Sequence, residues 1–481
     1  MTLGGQLRRL GKHSAIYGLG GLVRPILFVL LLPIFTRYLT PSDYGKVETL
    51  IALTTVVGIV LRFGIHSAFF RFYFDSPDPD ARRLVLRTSF WFTMAMATAG
   101  LIGGLVLAAP ISEALFGTTD DAELVMAAFV GLWAGMNYEQ LTSLFRVEER
   151  SVAFVAASLV NIFITIGATL LLVVALDEGP IGVIVGNFTG TLIVYAVLIG
   201  YRREQLGLQF DRRLLREMNR FGIPLIPTAL FLWTTNFSDR IFIGQLADTA
   251  EVGLYSVGVR IASAMVLLLT AFRLAWPAFA YSIDDDREAR RTYAYVLTYL
   301  VALTTWVATG LALLSPWIVD WIAAPAFAES STVVGPLAFA AVAFGAYIVV
   351  AIGIGRTKRT QFSWVVTGAA ALVNVALNLL LIPRYEMMGA AIATVAAYST
   401  MFVGMTWWAQ RIYPVPYQWR RVATAAAAGV VLVVVGKLTD AGLAVALPLA
   451  LVYPLALFPL GFYLPAERKA IGARLRLARE G

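Results

Sequence analysis

What most constrains this chain is the recurrence of apolar runs about as long as a bilayer is thick. Crossing the hydrocarbon core takes about 20 residues of helix. Runs of that order read over 14–38, 45–68, 88–109, 122–145, 152–176, 181–201, 221–246, 252–281, 292–316, 333–354, 362–382, 388–410, 422–436 and 443–464, the thirteenth being short. Inside lipid, backbone polar groups must be satisfied within the segment, which leaves helices or closed barrels. Barrel strands would be roughly 10 residues long with alternating character, so these runs exclude a barrel. The expected fold is an all-α polytopic membrane protein with about fourteen transmembrane helices. Charged residues are only 14% of the chain, well under the roughly 25% of a soluble domain.

The chain holds no cysteine and two histidines, His13 and His66. A disulfide framework, a thiol nucleophile and a Cys- or His-rich metal centre are therefore excluded. No resident cofactor or metal is expected, and a coupled ion would be H⁺ or Na⁺. The first 12 residues are polar and basic, and the run behind them is long enough to stay as a span, so no cleaved signal peptide is expected.

The basic residues give an orientation. Twenty-nine of the 38 Lys and Arg residues fall in the N-terminal tail, in every second connection after it, and in the C-terminal tail. Arg37, Lys46, Arg384 and Lys437 are those at the other connections. By the positive-inside rule both termini are cytoplasmic, in a multi-pass cell (inner) membrane protein. The net charge of +8 then reports topology, and no nucleic-acid partner is expected. The five remaining arginines, Arg24, Arg62, Arg240, Arg260 and Arg273, lie inside spans.

An internal repeat suggests two halves. LTPSDYGKVETL follows the first run and LADTAEVGLYSVG the seventh, each with an acidic loop and then a glycine, Gly45 or Gly253. Transporters often reuse one hairpin in two halves, with the site where the halves meet. The expected organisation is a six-helix lobe over 1–203, a basic linker over 204–220, a second six-helix lobe over 221–420, and two further helices with a basic tail over 421–481. The linker is basic and amphipathic enough to lie on the inner leaflet, at about 1 kcal/mol per basic residue.

Four motifs in order resemble the polysaccharide-biosynthesis (Wzx-type) branch of the MOP exporter superfamily: LLPIFTRYLTPSDYGKVETL, SDRIFIGQLADTAEVGLYSVGVRIA, FRLAWPAFAYS and LVNVALNLLLIPRYEMMGAAIATVAAYS. The resemblance covers nearly the whole chain and extends to lipid II flippases and, more distantly, to MATE transporters. It implies two pseudo-symmetric six-helix lobes around a central cavity open alternately to each side. It also implies passage of an undecaprenyl-type pyrophosphate-linked oligosaccharide from inner to outer leaflet for O-antigen or other cell-surface polysaccharide.

Candidate site residues follow from charge inside the membrane, where an ionisable side chain is costly unless it faces protein or water. Arg24, beside Gly20, Gly21 and Pro25, lies about 16 Å into the first span. A guanidinium there can bind phosphate bidentately. Arg62 ends a stripe with Glu48, Thr55, Gly58 and His66; Arg260 and Arg273 fall in the eighth span. These four arginines are the candidate substrate contacts. Glu48, Glu139, Asp239 and Arg240 are candidates for gating or ion coupling. The bland alternatives are an ion pair tying spans seven and eight for Asp239 and Arg240, a partnership with Arg146 for Glu139, and interfacial solvation for His66. Asp284–Asp286 reads as solvated beside Arg287, and Asn374 and Asn378 as interhelical hydrogen-bonding groups.

The expected activity is a flippase rather than an enzyme. A lipid II flippase or a MATE-like small-molecule exporter is the nearest alternative; span arginines disfavour organic cations. A membrane glycosyltransferase or polymerase would need larger outer loops. Expected partners are the lipid-linked oligosaccharide and the membrane, with a polysaccharide polymerase and glycosyltransferases nearby, and the chain is expected to be a monomer.

Overall fold

The computed structural model describes residues 31–357, 363–439, 442–465 and 467–468. Among these the regular structure is helical. Contacts divide the chain into two compact units. One runs to Ser256 and includes Ile382–Met387; the other holds Val257–Leu381 and the chain from Met388 onward.

The first unit contains the end of a helix over 31–38 (α1), then α2 (Pro41–Leu61), α3 (Ile65–Tyr73), α4 (Pro79–Val106), α5 (Ala108–Phe116), α6 (Ala122–Val147), α7 (Ser151–Leu170), α8 (Gly179–Arg202), α9 (Arg212–Gly222) and α10 (Ile226–Leu246). Helix α11 (Thr249–Ala262) begins in this unit. Local sequence explains where α2 starts. Thr40 and Asp43 form a reciprocal capping box, and Pro41 takes the first helical turn, where its missing N–H costs nothing. At α11, the second copy of the repeat, the cap is a single bond: Asp248 Oδ1 accepts the Glu251 N–H at 2.8 Å.

The second unit holds the rest of α11, α12 (Ala264–Tyr281), α13 (Asp286–Ile322), α14 (Ser331–Arg356), most of α15 (Ser363–Ile412), α16 (Trp419–Leu438) and α17 (Leu443–Ala456). Its core is apolar: Leu297, Val301, Val349, Val350, Ala425 and Tyr453 are all at most 3% exposed. One polar fastening closes the end of this core. Arg356 reaches Asp286 Oδ1 at 2.9 Å and the Ile283 carbonyl at 2.9 Å, and Tyr413 donates its hydroxyl to Asp286 at 3.1 Å. Asp285 caps α13 through the Glu288 N–H. The acidic triplet at 284–286 is thus partly a structural fastening and not merely solvated.

The fourteen expected spans are not reproduced helix for helix. Nine helices among the described residues are long and apolar enough to cross a membrane. The second expected span is split into α2 and α3, and the eighth into α11 and α12. The eleventh and twelfth form one 50-residue helix interrupted at Glu386 (φ 49°, ψ −131°). Glu251 caps the second part of that helix by accepting the Met387 N–H at 3.2 Å. The fourteenth is only 14 residues long. Helices α6 and α10 have the length, at 26 and 21 residues, but polar residues such as Asn137, Glu139, Asn236 and Asp239 dilute them.

Within the expected linker the chain starts the short helix α9 (Arg212–Gly222). The apolar side of α9 is not free for lipid: Met218 is fully buried, and Leu214 and Leu215 pack with it against Phe69 and Val85. Arg212, Arg213, Arg216 and Arg220 make the exposed side.

Candidate substrate and gating site

The break in span two brings three ionisable groups of the first unit together. Helix α2 ends at Leu61, and Phe63 and Gly64 follow with φ of 46° and 69°. This left-handed conformation is easy for glycine and costly for phenylalanine. A glycine is also required there for space: a Cβ on Gly64 would lie 2.2 Å from the Gly222 carbonyl oxygen. The break leaves Arg62 as the C-cap of α2, where it meets Glu139 from α6 at 2.7 Å. His66 Nε2, in the first turn of α3, lies 3.7 Å from the other oxygen of the same carboxylate. Both partners keep solvent access, with side chains 31% and 43% exposed for Arg62 and Glu139. A partly exposed pair of this kind is separable, since its attraction is moderated by water. Glu139 therefore partners Arg62, not Arg146, whose guanidinium sits over the Phe154 ring at 4.8 Å.

Glu48 and Arg62 do not come together. They are 14 residues apart on one helix, a rise of about 21 Å, and Glu48 is buried near the other end of α2.

Asp239 and Arg240 sit side by side in α10 and share Tyr255 as a neighbour. Asp239, 2% exposed, accepts the Tyr255 hydroxyl at 2.5 Å, which ties α10 to α11. Arg240, 5% exposed, donates to the Asn236 carbonyl at 2.6 Å and lies over the Phe237 and Tyr255 rings at 5.4 and 5.6 Å. The tie between spans seven and eight is thus a hydrogen bond to the acid with a ring contact to the base. Trp233, on the same helix, donates its indole N–H to the Ala52 carbonyl of α2 at 3.0 Å.

Arg260 and Arg273 lie on two helices rather than one. Ser263 separates α11 from α12 but keeps a right-handed helical backbone (φ −63°, ψ −13°), with its N–H on the Val259 carbonyl at 2.8 Å and its carbonyl accepting the Leu267 N–H at 3.1 Å. Arg260 is half-buried, whereas Arg273 is exposed on an otherwise apolar α12. Arg24, with Gly20, Gly21 and Pro25, lies outside the described residues.

Three features escaped sequence reading: the break after Arg62, the Arg62–Glu139–His66 cluster and the Tyr255 tie. The first had a signal in Gly64, set inside an apolar run. The other two join residues distant in sequence and left none.

These observations define a multi-pass helical membrane protein with ionisable groups gathered inside its spans. Its fold matches those of known exporters. A lipid II flippase MurJ in an inward closed conformation superposes with a TM-score of 0.74 at 14% identity, covering 93% of this chain and 99% of that one. An inward-facing multidrug resistance MATE family transporter of the MOP superfamily gives 0.68 at 15% identity, covering 83% and 95%. The family model described as "Polysaccharide biosynthesis protein" matches residues 34–332, and the chain belongs to that family. Among characterised relatives, the succinoglycan biosynthesis transport protein ExoT of Rhizobium meliloti is 22% identical over 271 residues, 55% of this chain. The match spans about half of that protein, 52% of its length.

Proposed function

We propose that this protein is an alternating-access flippase that carries an undecaprenyl-type pyrophosphate-linked oligosaccharide from the inner to the outer leaflet. The single observation that carries the reading is a separable arginine, Arg62, held by Glu139 at the break of span two in a chain of the polysaccharide biosynthesis family. A pyrophosphate crossing a membrane loses hydration, and guanidinium groups replace it with paired, charge-assisted hydrogen bonds. Arg62 and the exposed Arg273 are the contacts assigned to the pyrophosphate, with Arg24 and Arg260 as further ones. The exporter fold is shared by flippases and multidrug transporters alike; arginines in the spans favour an anionic cargo over an organic cation. Both termini are assigned to the cytoplasm, with the Arg62 end of α2 facing that side. Glu139, Asp239, Arg240 and Glu48 are assigned to gating or to coupling with H⁺ or Na⁺.

Complementation of an O-antigen flippase null strain tests this. Wild-type protein should restore surface polysaccharide, while Arg24→Ala and Arg273→Ala should each reduce it by roughly tenfold or more, the weight of one lost charged hydrogen bond. Full restoration by both variants at normal protein level would reject the arginine contacts.

A further inference from the structure

Helix α2 is crossed at both ends by backbone packed directly on backbone. At its start the crossing is reciprocal. A Cβ on Gly45 would lie 1.8 Å from the Thr249 carbonyl oxygen, and a Cβ on Gly253 would lie 2.0 Å from the Pro41 carbonyl oxygen. Gly45 is four residues beyond Pro41, and Gly253 four beyond Thr249, so each repeat glycine meets the first turn of the other helix. The Ser42 and Thr249 hydroxyls are 2.7 Å apart beside it. At the far end, Gly64 meets Gly222: a Cβ on Gly64 would lie 2.2 Å from the Gly222 oxygen, and one on Gly222 would lie 2.7 Å from the Gly64 and Phe63 oxygens.

At each crossing the closest approach is backbone on backbone, with side chains beside it: the Ser42 and Thr249 hydroxyls at the first, and Met218 seated with Phe69 at the second. The glycine contacts themselves give close van der Waals fit and weak Cα–H···O bonds. Interfaces of this kind can part and re-form as rigid surfaces. Between them, Trp233 spans α10 to α2 at Ala52, a residue with no exposure. The second crossing adjoins Arg62, two residues from Gly64.

We propose that the two glycine crossings are the two gates of the transport cycle and that they open one at a time, Gly45–Gly253 toward the outside and Gly64–Gly222 toward the cytoplasm. The proposal rests on the flippase reading for its purpose, but the gating itself can be measured without substrate. It gives a reason for glycine at the repeat positions 45 and 253 and at 222, where a single methyl group would keep a gate from shutting; Gly64 is required by its positive φ as well.

The chain has no cysteine of its own, so no native thiol has to be removed before disulfide trapping. Ser42→Cys/Thr249→Cys should form a disulfide in native membranes. Oxidation should abolish complementation of a flippase null, and reduction should restore it. A third cysteine, Ala52→Cys, reports the gates independently of cargo, through labelling by an impermeant maleimide applied from either side. Oxidised protein should label from the cytoplasmic side alone. Gly222→Ala, in a helical backbone conformation that alanine adopts freely (φ −78°, ψ −41°), should raise cytoplasmic labelling by about tenfold through loss of the shut state. Gly45→Ala should raise labelling from the outside. Absence of the disulfide, equal labelling from both sides after oxidation, or undiminished export by oxidised protein would each overturn the gates. Failure of the parent chain to complement would reject the cargo and leave the labelling result to decide the gates.

Discussion

Helices α2 and α13 are packed by opposite means. Helix α13 runs 37 residues without a break and presents a continuous buried face, with Tyr293, Leu297, Thr298, Ala308 and Val319 at most 1% exposed. Helix α2 stops after 21 residues, carries Gly45 against another backbone, and is followed at its C-cap by Arg62 in an ion pair. The first arrangement gains stability from removing apolar side chains from solvent and from dense contact. The second forgoes that gain at the points where the chain approaches other helices most closely. A scaffold and a moving part are the natural reading of the two.

Substitutions should separate these roles, and the largest effect should come from the site. Arg62→Ala should cut export by roughly ten- to a hundredfold, as expected for a lost charged contact to phosphate, with little change in thermal stability because the side chain is partly exposed. Cutting the scaffold should do the reverse. Leu297→Ala, at 0% exposure, should cost about 2–4 kcal/mol in stability and lower the amount of protein, while export per folded molecule stays near normal. A thermal-shift series in detergent, paired with export normalised to protein level, distinguishes the two outcomes.

Within the first unit, polar fastenings outside the gates should behave as scaffold. Arg202, 3% exposed, is held by both oxygens of Glu148 at 2.8 and 2.7 Å. Glu148→Ala leaves that guanidinium buried without a counter-charge, held by Gln205 Oε1 at 2.9 Å, which should cost about 3 kcal/mol. A fall in thermal midpoint without altered Ala52→Cys labelling would place it outside the moving part.

The smallest effect concerns pH. Burial pushes the Glu467 carboxyl up, but hydrogen bonds with Tyr299, the Leu464 N–H and Arg421 outweigh it and hold the group below its usual range. Its folded-state affinity for protons is depressed, so its contribution is present above the ordinary carboxylate range and is lost as pH falls through the lower folded value. Wild-type stability should decline by somewhat more than that of Glu467→Gln as pH is lowered from neutral. Parallel thermal-shift curves for the two proteins would contradict the assignment.

Most helices were legible in the sequence because length and apolar character dictate them locally. The repeat at Gly45 and Gly253 was legible, but the span was read from 45, four residues inside a helix whose cap is Thr40 with Asp43. The break at Gly64 was hidden because Phe63 and Ile65 keep the run apolar, so hydropathy does not register a change of backbone. The Arg62–Glu139 pair, the Tyr255–Asp239 bond and the seating of α9 on α3 depend on which helices become neighbours. Periodicity marked the faces of α9 but could not say whether its apolar side met lipid or protein.

The central claim is that the cargo is an anionic lipid-linked sugar. Purified protein in liposomes loaded with a fluorescent polyprenyl-pyrophosphate oligosaccharide tests it most directly, through quenching of the dye as it reaches the opposite leaflet. The account predicts protein-dependent movement that Arg62→Ala slows by about tenfold and that oxidised Ser42→Cys/Thr249→Cys stops. Unchanged lipid asymmetry with wild-type protein, alongside uptake of an organic cation into the same liposomes, would contradict it.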